Sequence, residues 1–275
     1  MFEKIIQLKG KEKGTTSIIL VGVHGNEKCG MEALEKVLPK LKIERGTVLF
    51  GYGNPRAIEA NKRFVEANLN RMFKNDDLLS KKDVGSYEYK RAQFLKKYLK
   101  RADALLDIHA SFVPNSKPFI NCEANAKGII KYLLVDLIVS GFDKIEPGGT
   151  DYFMNSLDKI GICIECGYLG NPESTVIAEK SIFSFLKARG HTSNDFVSKT
   201  QSFIRMYDLY ITKTNNFTLS KPFYDFEEIS KGQIIGMDGD KEVKTEKDSV
   251  ILFARNREQI GDEAFLLGEN ESPWI

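Results

Sequence analysis

A histidine and a glutamate three residues apart interrupt an otherwise apolar stretch, IILVGVHGNEKCG, residues 18 to 30. The chain holds only three histidines in 275 residues, so where each one falls is informative. His24 closes the run from Ile18 to Val23, and Gly25-Asn26 loosens the chain before Glu27. A strand can deliver His24. Glu27, in the first turn of a following helix, can reach back to the same point. A third donor has to come from elsewhere, and His109, which closes ALLDIH, is the candidate. Two imidazoles and one carboxylate make a zinc site that keeps a position open for water. Zinc so held lowers the pKa of its water towards ~7 and polarises a carbonyl. The third histidine, His191, falls in the polar stretch HTSND, which reads as a linker, and is expected at the surface.

Hydrolysis at such a centre also needs a base that takes a proton from water and returns it to the leaving nitrogen. Glu165, in ICIECG, is a carboxylate inside an apolar run. A buried carboxylate is costly unless paired or used, and burial raises its pKa towards a useful value. The stretch NPRAIEANKRFVEANLNRMF, residues 54 to 73, supplies Arg56, Arg63 and Arg71 with Asn68 and Asn70. A guanidinium fork matches a carboxylate and also stabilises an oxyanion. A solvated basic helix face is the plainer reading of the same stretch, and for Arg56 surface packing explains the residue as well as substrate contact does. Cys163 and Cys166 form a C-x-x-C within a strand-like run. Residues three apart on a strand face opposite sides, so this pair is not expected to chelate a metal or close a disulfide.

These groups need a scaffold that brings distant segments together. Residues 16 to 23, 47 to 52, 104 to 108, 117 to 122 and 162 to 166 read as strands, short and apolar. Glu27 to Val37, residues 86 to 100, 127 to 139 and 172 to 188 read as helices, and Asn54-Pro55 as a helix start. Strands alternating with helices predict an α/β fold with a mixed, largely parallel sheet flanked by helices. In such sheets sites form at the carboxyl ends of strands, and His24, His109 and Glu165 fall at or near those ends. After about residue 190 the pattern changes to short strands punctuated by Gly232, Gly236, Gly239 and Gly261. We therefore expect a catalytic α/β domain over residues 1–195 and a small all-β domain over residues 203–275.

Composition narrows the partners. Hydrophobic residues are 42% and charged residues 28%, which suits a globular chain with a sizeable core. A net charge of +2 gives no basic excess for a polyphosphate backbone, so nucleic acid is not an expected partner. The longest apolar runs are too short for a bilayer, and Met1-Phe2-Glu3-Lys4 does not open a signal peptide. Four scattered cysteines favour a reducing, cytoplasmic setting. The sequence leaves a homo-oligomer open.

Taken together, GVHGNE (22–27), GNPRAIEANKRFVEANLNRMF (53–73), LLDIHA (105–110) and ICIECG (162–167) resemble the succinylglutamate desuccinylase/aspartoacylase family of zinc carboxypeptidase-like hydrolases. KGQIIG and SVILF resemble parts of that family's small β domain. The resemblance implies zinc on His24, Glu27 and His109, one ion per chain. It implies Glu165 as general base and acid, and Arg63 as the group that polarises the scissile carbonyl. It implies Asn70 and Arg71 on the α-carboxylate of an N-acyl amino acid, hydrolysed to an acid and a free amino acid. Two departures stand out. Position 68 is Asn where the family carries Asp, and residues 141 to 161 lack the arginine that aspartoacylase-like members use for a second acidic group. The readings set against this one are a carboxypeptidase of short peptides, a metal-free carboxylate-binding relative, and a carrier protein modified at Lys244 or Lys247.

Overall fold

The run Ile18–Val21 is fully buried, and so are Ala104, Leu105 and Leu106, which suits strands covered on both faces. The computed structural model describes residues 3–193 and 198–274. Its first half runs β1 (Ile6–Lys9), β2 (Glu12–Val21), α1 (Cys29–Val37), β3 (Arg45–Tyr52), α2 (Pro55–Glu59), α3 (Lys81–Gly85), α4 (Tyr87–Leu99) and β4 (Ala104–Ser111). It continues with β5 (Phe119–Cys122), α5 (Lys127–Ile130), β6 (Leu137–Ser140), α6 (Phe142–Ile145), α7 (Thr150–Asn155), β7 (Ile160–Tyr168) and α8 (Glu173–Ala188). Only strands and turns follow: β8 (Ser202–Ile211), β9 (Phe217–Leu219), β10 (Glu227–Ile229), β11 (Ile234–Asp238), β12 (Lys241–Lys244), β13 (Ser249–Leu252) and β14 (Glu263–Glu271).

Eleven strands form one mixed sheet in the order β1-β3-β2-β4-β7-β5-β6-β8-β14-β13-β10, and β12-β11-β9 form a separate antiparallel sheet. The centre, β3-β2-β4-β7, is parallel. β5 runs antiparallel to β7, and β6 pairs parallel with both β5 and β8. The expected α/β class and the β-rich C-terminal region are both present. The start of the expected break between them, residue 195, lies outside the described residues.

Alternation along the strands divides the core. Ile19 and Val21 pack with Leu34, Val37, Ile182 and Phe185 from α1 and α8. Ile18 and Leu20 pack on the other face with Leu95 and Leu99 from α4. Each such buried Leu or Ile contributes about 1.5–3 kcal/mol by leaving water. Asp107 and His109 share the parity of Leu105, and Cys163 and Glu165 stand on the same side of β7. Cys166 points the other way, into the core beneath α8. The four cysteines are free, including Cys163 and Cys166, which were not expected to pair from their spacing on one strand.

Three expectations need correction. The helix expected over residues 127 to 139 stops at Ile130, and Leu137–Ser140 is a strand. A short apolar run does not reveal its period, and here the open edges of β5 and β8 capture Leu137-Ile138-Val139. The helix after His24 begins at Cys29, so Glu27 lies in the preceding turn, where its N–H donates to His24 O at 3.2 Å. His191 is buried rather than exposed, because its ring nitrogens meet Arg45 O at 2.9 Å and Ser17 Oγ at 2.8 Å.

Candidate active site

The turn carrying His24 depends on two glycines. Gly22 has φ +65°, a conformation that side chains with a Cβ rarely adopt. A Cβ on Gly25 would stand 2.1 Å from the backbone of Ala57, so only glycine lets α2 come this close. α2 itself is fixed by Asn54, whose side chain accepts from Ala57 N at 3.2 Å, with Pro55 at the first helical position. The loop after α2 is held by Glu88 on α4. That buried carboxylate accepts from Val65 N at 2.8 Å and Ala67 N at 3.1 Å, and from Asn54 Nδ2 at 3.2 Å. Arg63 and Asn68 are positioned by these contacts.

At the carboxyl ends of β2 and β4, His24, Glu27 and His109 converge, and all three are buried. His24 Nδ1 lies 2.8 Å from Glu27 Oε1, His109 Nδ1 lies 2.9 Å from Glu27 Oε2, and the two Nδ1 atoms are 3.2 Å apart. One donor atom from each falls within 4.8 Å of the others, close enough to share one ion. The outer nitrogens are engaged by other groups. His24 Nε2 faces Asn68 Oδ1 at 3.1 Å, and His109 Nε2 faces Asp107 Oδ2 at 3.1 Å. The acceptor behind His24 places the proton on Nε2 and leaves Nδ1 free to coordinate a metal, while His109 Nε2 lies within ion-pair distance of Asp107 but makes no hydrogen bond among the described residues. Asp107 is held in turn by the Thr150 hydroxyl. The donor set therefore fits zinc in its ligand types, burial and supporting contacts.

Electrostatics follow from this packing. Burial, reinforced by the Arg63 charge, pushes the His24 pKa down to about 4. Burial also works against a charged His109, but Asp107, Cys163 and Glu27 together hold its pKa well above the usual value. Glu27 is kept well below the usual carboxylate range by the two imidazoles, despite its burial. Glu165 stands beside His109 in the parallel register of β7 and β4. Its Oε2 has no hydrogen-bond partner among the described residues. Burial, and then the charge of Glu27, raise its pKa to about 8. A structural salt bridge, the alternative explanation of this residue, is absent among the described residues.

A single cavity is lined by His24, Glu27, Arg63, Asn70, His109 and Glu165, among others. Arg63 Nη1 donates to Glu27 Oε1 at 3.0 Å. Asn70 Oδ1 is buried without a partner among the described residues. Arg71 also lines the cavity, but two carboxylates already engage it. Its Nε and Nη2 each donate to Glu263 at 3.0 Å, and Nη2 also donates to Glu146. Arg56 is not brought to the cavity. It is exposed, with its guanidinium 4.3 Å from the ring centre of Tyr87.

Sequence reasoning passed over Asp107, Glu88, Glu146, Arg255 and Glu263. Asp107 carried a signal, a charged residue in the apolar run ALLDIH two positions before a candidate ligand. Arg255 and Glu263 carried none, because nothing in their own segments points to a cavity built largely from residues 24 to 165. Lys244 and Lys247 sit in ion pairs with Glu242 and Glu269.

The family model described as the succinylglutamate desuccinylase/aspartoacylase catalytic domain matches residues 13–189. A probable aspartoacylase from Nostoc sp. is 28% identical over 213 residues, 69% of this chain and 69% of the relative. A succinylglutamate desuccinylase from Pseudomonas aeruginosa is 34% identical over 76 residues, so the match spans 26% of this chain and 22% of that enzyme. The crystal structure of succinylglutamate desuccinylase from Vibrio cholerae superposes with a TM-score of 0.82 over 97% of this chain and 85% of that one, at 17% identity, and so shows the same fold. The turn that holds His24 and Glu27, the Asn-Arg segment and the two buried strands carrying His109 and Glu165 all lie inside the matched region, and the chain belongs to the succinylglutamate desuccinylase/aspartoacylase family of hydrolases.

Proposed function

We propose that this protein hydrolyses the amide bond of a small N-acyl amino acid at a centre where His24, Glu27 and His109 hold one zinc ion per chain. One observation carries the reading: three metal-donor side chains share a cavity with a partnerless carboxyl oxygen on Glu165 and the guanidinium of Arg63. The names of the relatives support a deacylase.

When bound, zinc supplies Lewis acidity towards a carbonyl and a lower pKa for water. The residues of the chain do the rest. Glu165 takes the proton of the attacking water as that oxygen bonds to the carbonyl carbon. Arg63, at the cavity wall, stabilises the charge that develops on the carbonyl oxygen. Glu165 then returns the proton to the nitrogen as the C–N bond breaks, which gives a carboxylic acid and a free amino acid. A carboxyl group with a raised pKa is suited to both transfers, because it holds and releases a proton near neutral pH. Asn70 and Arg71 form the wall that faces the carboxylate end of the substrate.

A screen of zinc-loaded protein against N-acyl amino acids and dipeptides tests this. The expected result is turnover of acyl amino acids, one zinc per chain, loss on chelation and recovery on adding zinc back. A preference for dipeptides would move the activity to a peptidase. Failure to bind zinc, with no turnover, would refute the reading.

A further inference from the structure

We propose that the cavity selects N-acyl amino acids whose side chain carries a positively charged amine, and that Glu146 is the residue that reads that charge. This rests on the deacylase reading above, with Asn70 and Arg71 facing the substrate's carboxylate.

The argument starts from charge. Residues 141 to 161 hold no arginine. That stretch instead gives the cavity wall three carboxylates, Asp143, Glu146 and Asp151, and Glu263 adds a fourth from β14. Outside the Arg63–Glu27 pair, the arginines that line the cavity are Arg71 and Arg255. Glu146 and Glu263 both bond to Arg71. When the carboxylate of a substrate reaches Arg71, three carboxylates meet one guanidinium, and Glu146 loses part of its partner. The Glu146 side chain is only 13% exposed, and a buried carboxylate short of counter-charge is unfavourable. An ammonium on the same substrate restores the balance from within the ligand.

Hydrogen-bonding capacity points the same way. Gly149 has no Cβ, and one built there would stand 2.3 Å from Asp151 Oδ1 and 3.3 Å from Asn70 Oδ1, so two acceptor oxygens approach the same spot. Asp151 is 7% exposed, and its other oxygen accepts from Asn121 Nδ2 at 2.9 Å. Asn70 Oδ1 is sealed from solvent without a partner among the described residues. Acceptors gathered in this way suit a group that only donates, and an ammonium is such a group. Phe142 and Leu209 line the same cavity and belong to one apolar cluster with Ile145, which gives the methylenes of an amine-bearing side chain a surface to lie on. Burial raises the pKa values of Glu146 and Asp151 to about 7, with Arg71 working against the shift on Glu146 and the charge of Asp143 adding to it on Asp151. Carboxyls so poised give up a proton readily when a cation is brought beside them.

The test measures kcat/KM of the zinc-loaded protein for Nα-acetylornithine and Nα-acetyllysine, for their neutral counterparts Nα-acetylnorvaline and Nα-acetylnorleucine, and for Nα-acetylglutamate. We expect a cationic substrate to be favoured over its neutral counterpart by about 10- to 100-fold, the range for a hydrogen bond to a charged group, and the acidic substrate to be the poorest. Glu146→Gln removes the charge but keeps a polar group beside Arg71, and it should reduce the cationic preference below about three-fold. Glu146→Asp keeps the charge and should retain part of the preference. A role confined to holding Arg71 in place would weaken cationic and neutral substrates alike, so the ratio separates the two cases. A wild type that prefers neutral or acidic substrates, or a full cationic preference in Glu146→Gln, would overturn the assignment. Calorimetry with Nα-acetylornithine and Nα-acetylnorvaline on zinc-loaded Glu165→Gln protein, with and without Glu146→Gln, reads the same ratio without turnover. A protein that hydrolyses no N-acyl amino acid would sink the deacylase reading, while equal binding of the two ligands, or binding of neither, would overturn the role of Glu146.

Discussion

On one side of the cavity, His24, Asp107, His109 and Glu165 sit on or just beyond three neighbouring parallel strands, and short hydrogen bonds within the same layer hold the two rings. On the other side, Glu146, Arg255 and Glu263 come from a loop before α7, a loop after β13 and the first residue of β14. The first side is local and in register. The second is assembled from two loops and the first residue of a strand, which share no register. Under the proposed reaction the contrast is a division of labour: the groups proposed to break the bond occupy rigid strand ends, and recognition would fall to loops that can change without disturbing them.

The largest expected effect tests the rigid side. Glu165→Gln should keep one zinc per chain and lose about 10³-fold in kcat, within the range for removing a general base. Turnover near normal would place the base elsewhere and blur the contrast. Next comes Asp107→Asn, which weakens the support behind His109. Zinc affinity should drop about 10- to 100-fold, read by competition with a chromogenic chelator, and unchanged affinity would make Asp107 a packing residue only.

A third prediction spans both sides. Burial raises the carboxyl pKa values of Glu165 to about 8 and of Glu146 and Asp151 to about 7. Each value lies above that of an unfolded chain, about 4, so the native state holds protons that the unfolded state has released. Stability contributed in this way is lost as pH rises through the folded values. His109, also raised, acts in the same direction. His24, lowered to about 4, opposes the trend only below the ordinary histidine value of 6.5. Chelator-treated protein should therefore melt at a lower temperature at pH 8 than at pH 6.5. Zinc, which needs deprotonated ligands, should raise the midpoint more at pH 8. A metal-free midpoint that rises over the same interval would show that these carboxyls are not held protonated. The smallest effect belongs to Arg56→Ala. This residue stacks on Tyr87 outside the cavity, so KM should be unchanged and stability should shift by less than about 1 kcal/mol.

The same contrast explains what the sequence revealed. His24, Glu27, His109 and Glu165 were legible because each is a polar residue in or just beyond an apolar run, and for His109 and Glu165 strand alternation then dictates where the side chain points. Asn68 was visible as a departure but not as the partner of His24, since that contact depends on a loop pinned by Glu88 from α4. Arg71 was visible as a cation. Its two carboxylate partners were not, because Glu263 comes from a strand near the end of the chain. The strand at Leu137–Ser140 was hidden because its neighbours in the sheet, rather than its own residues, decide its conformation.

The pairing of β6 with β8 bears on how the protein can be divided. Cutting the chain ahead of residue 202 would strip β6 of its outer neighbour and expose a row of unpaired amides along a short hydrophobic strand, an invitation to self-association. The catalytic half is therefore a poor unit to transplant. Attempts to retarget the enzyme are better directed at exchanging the loops around residues 253 to 263 within an intact chain.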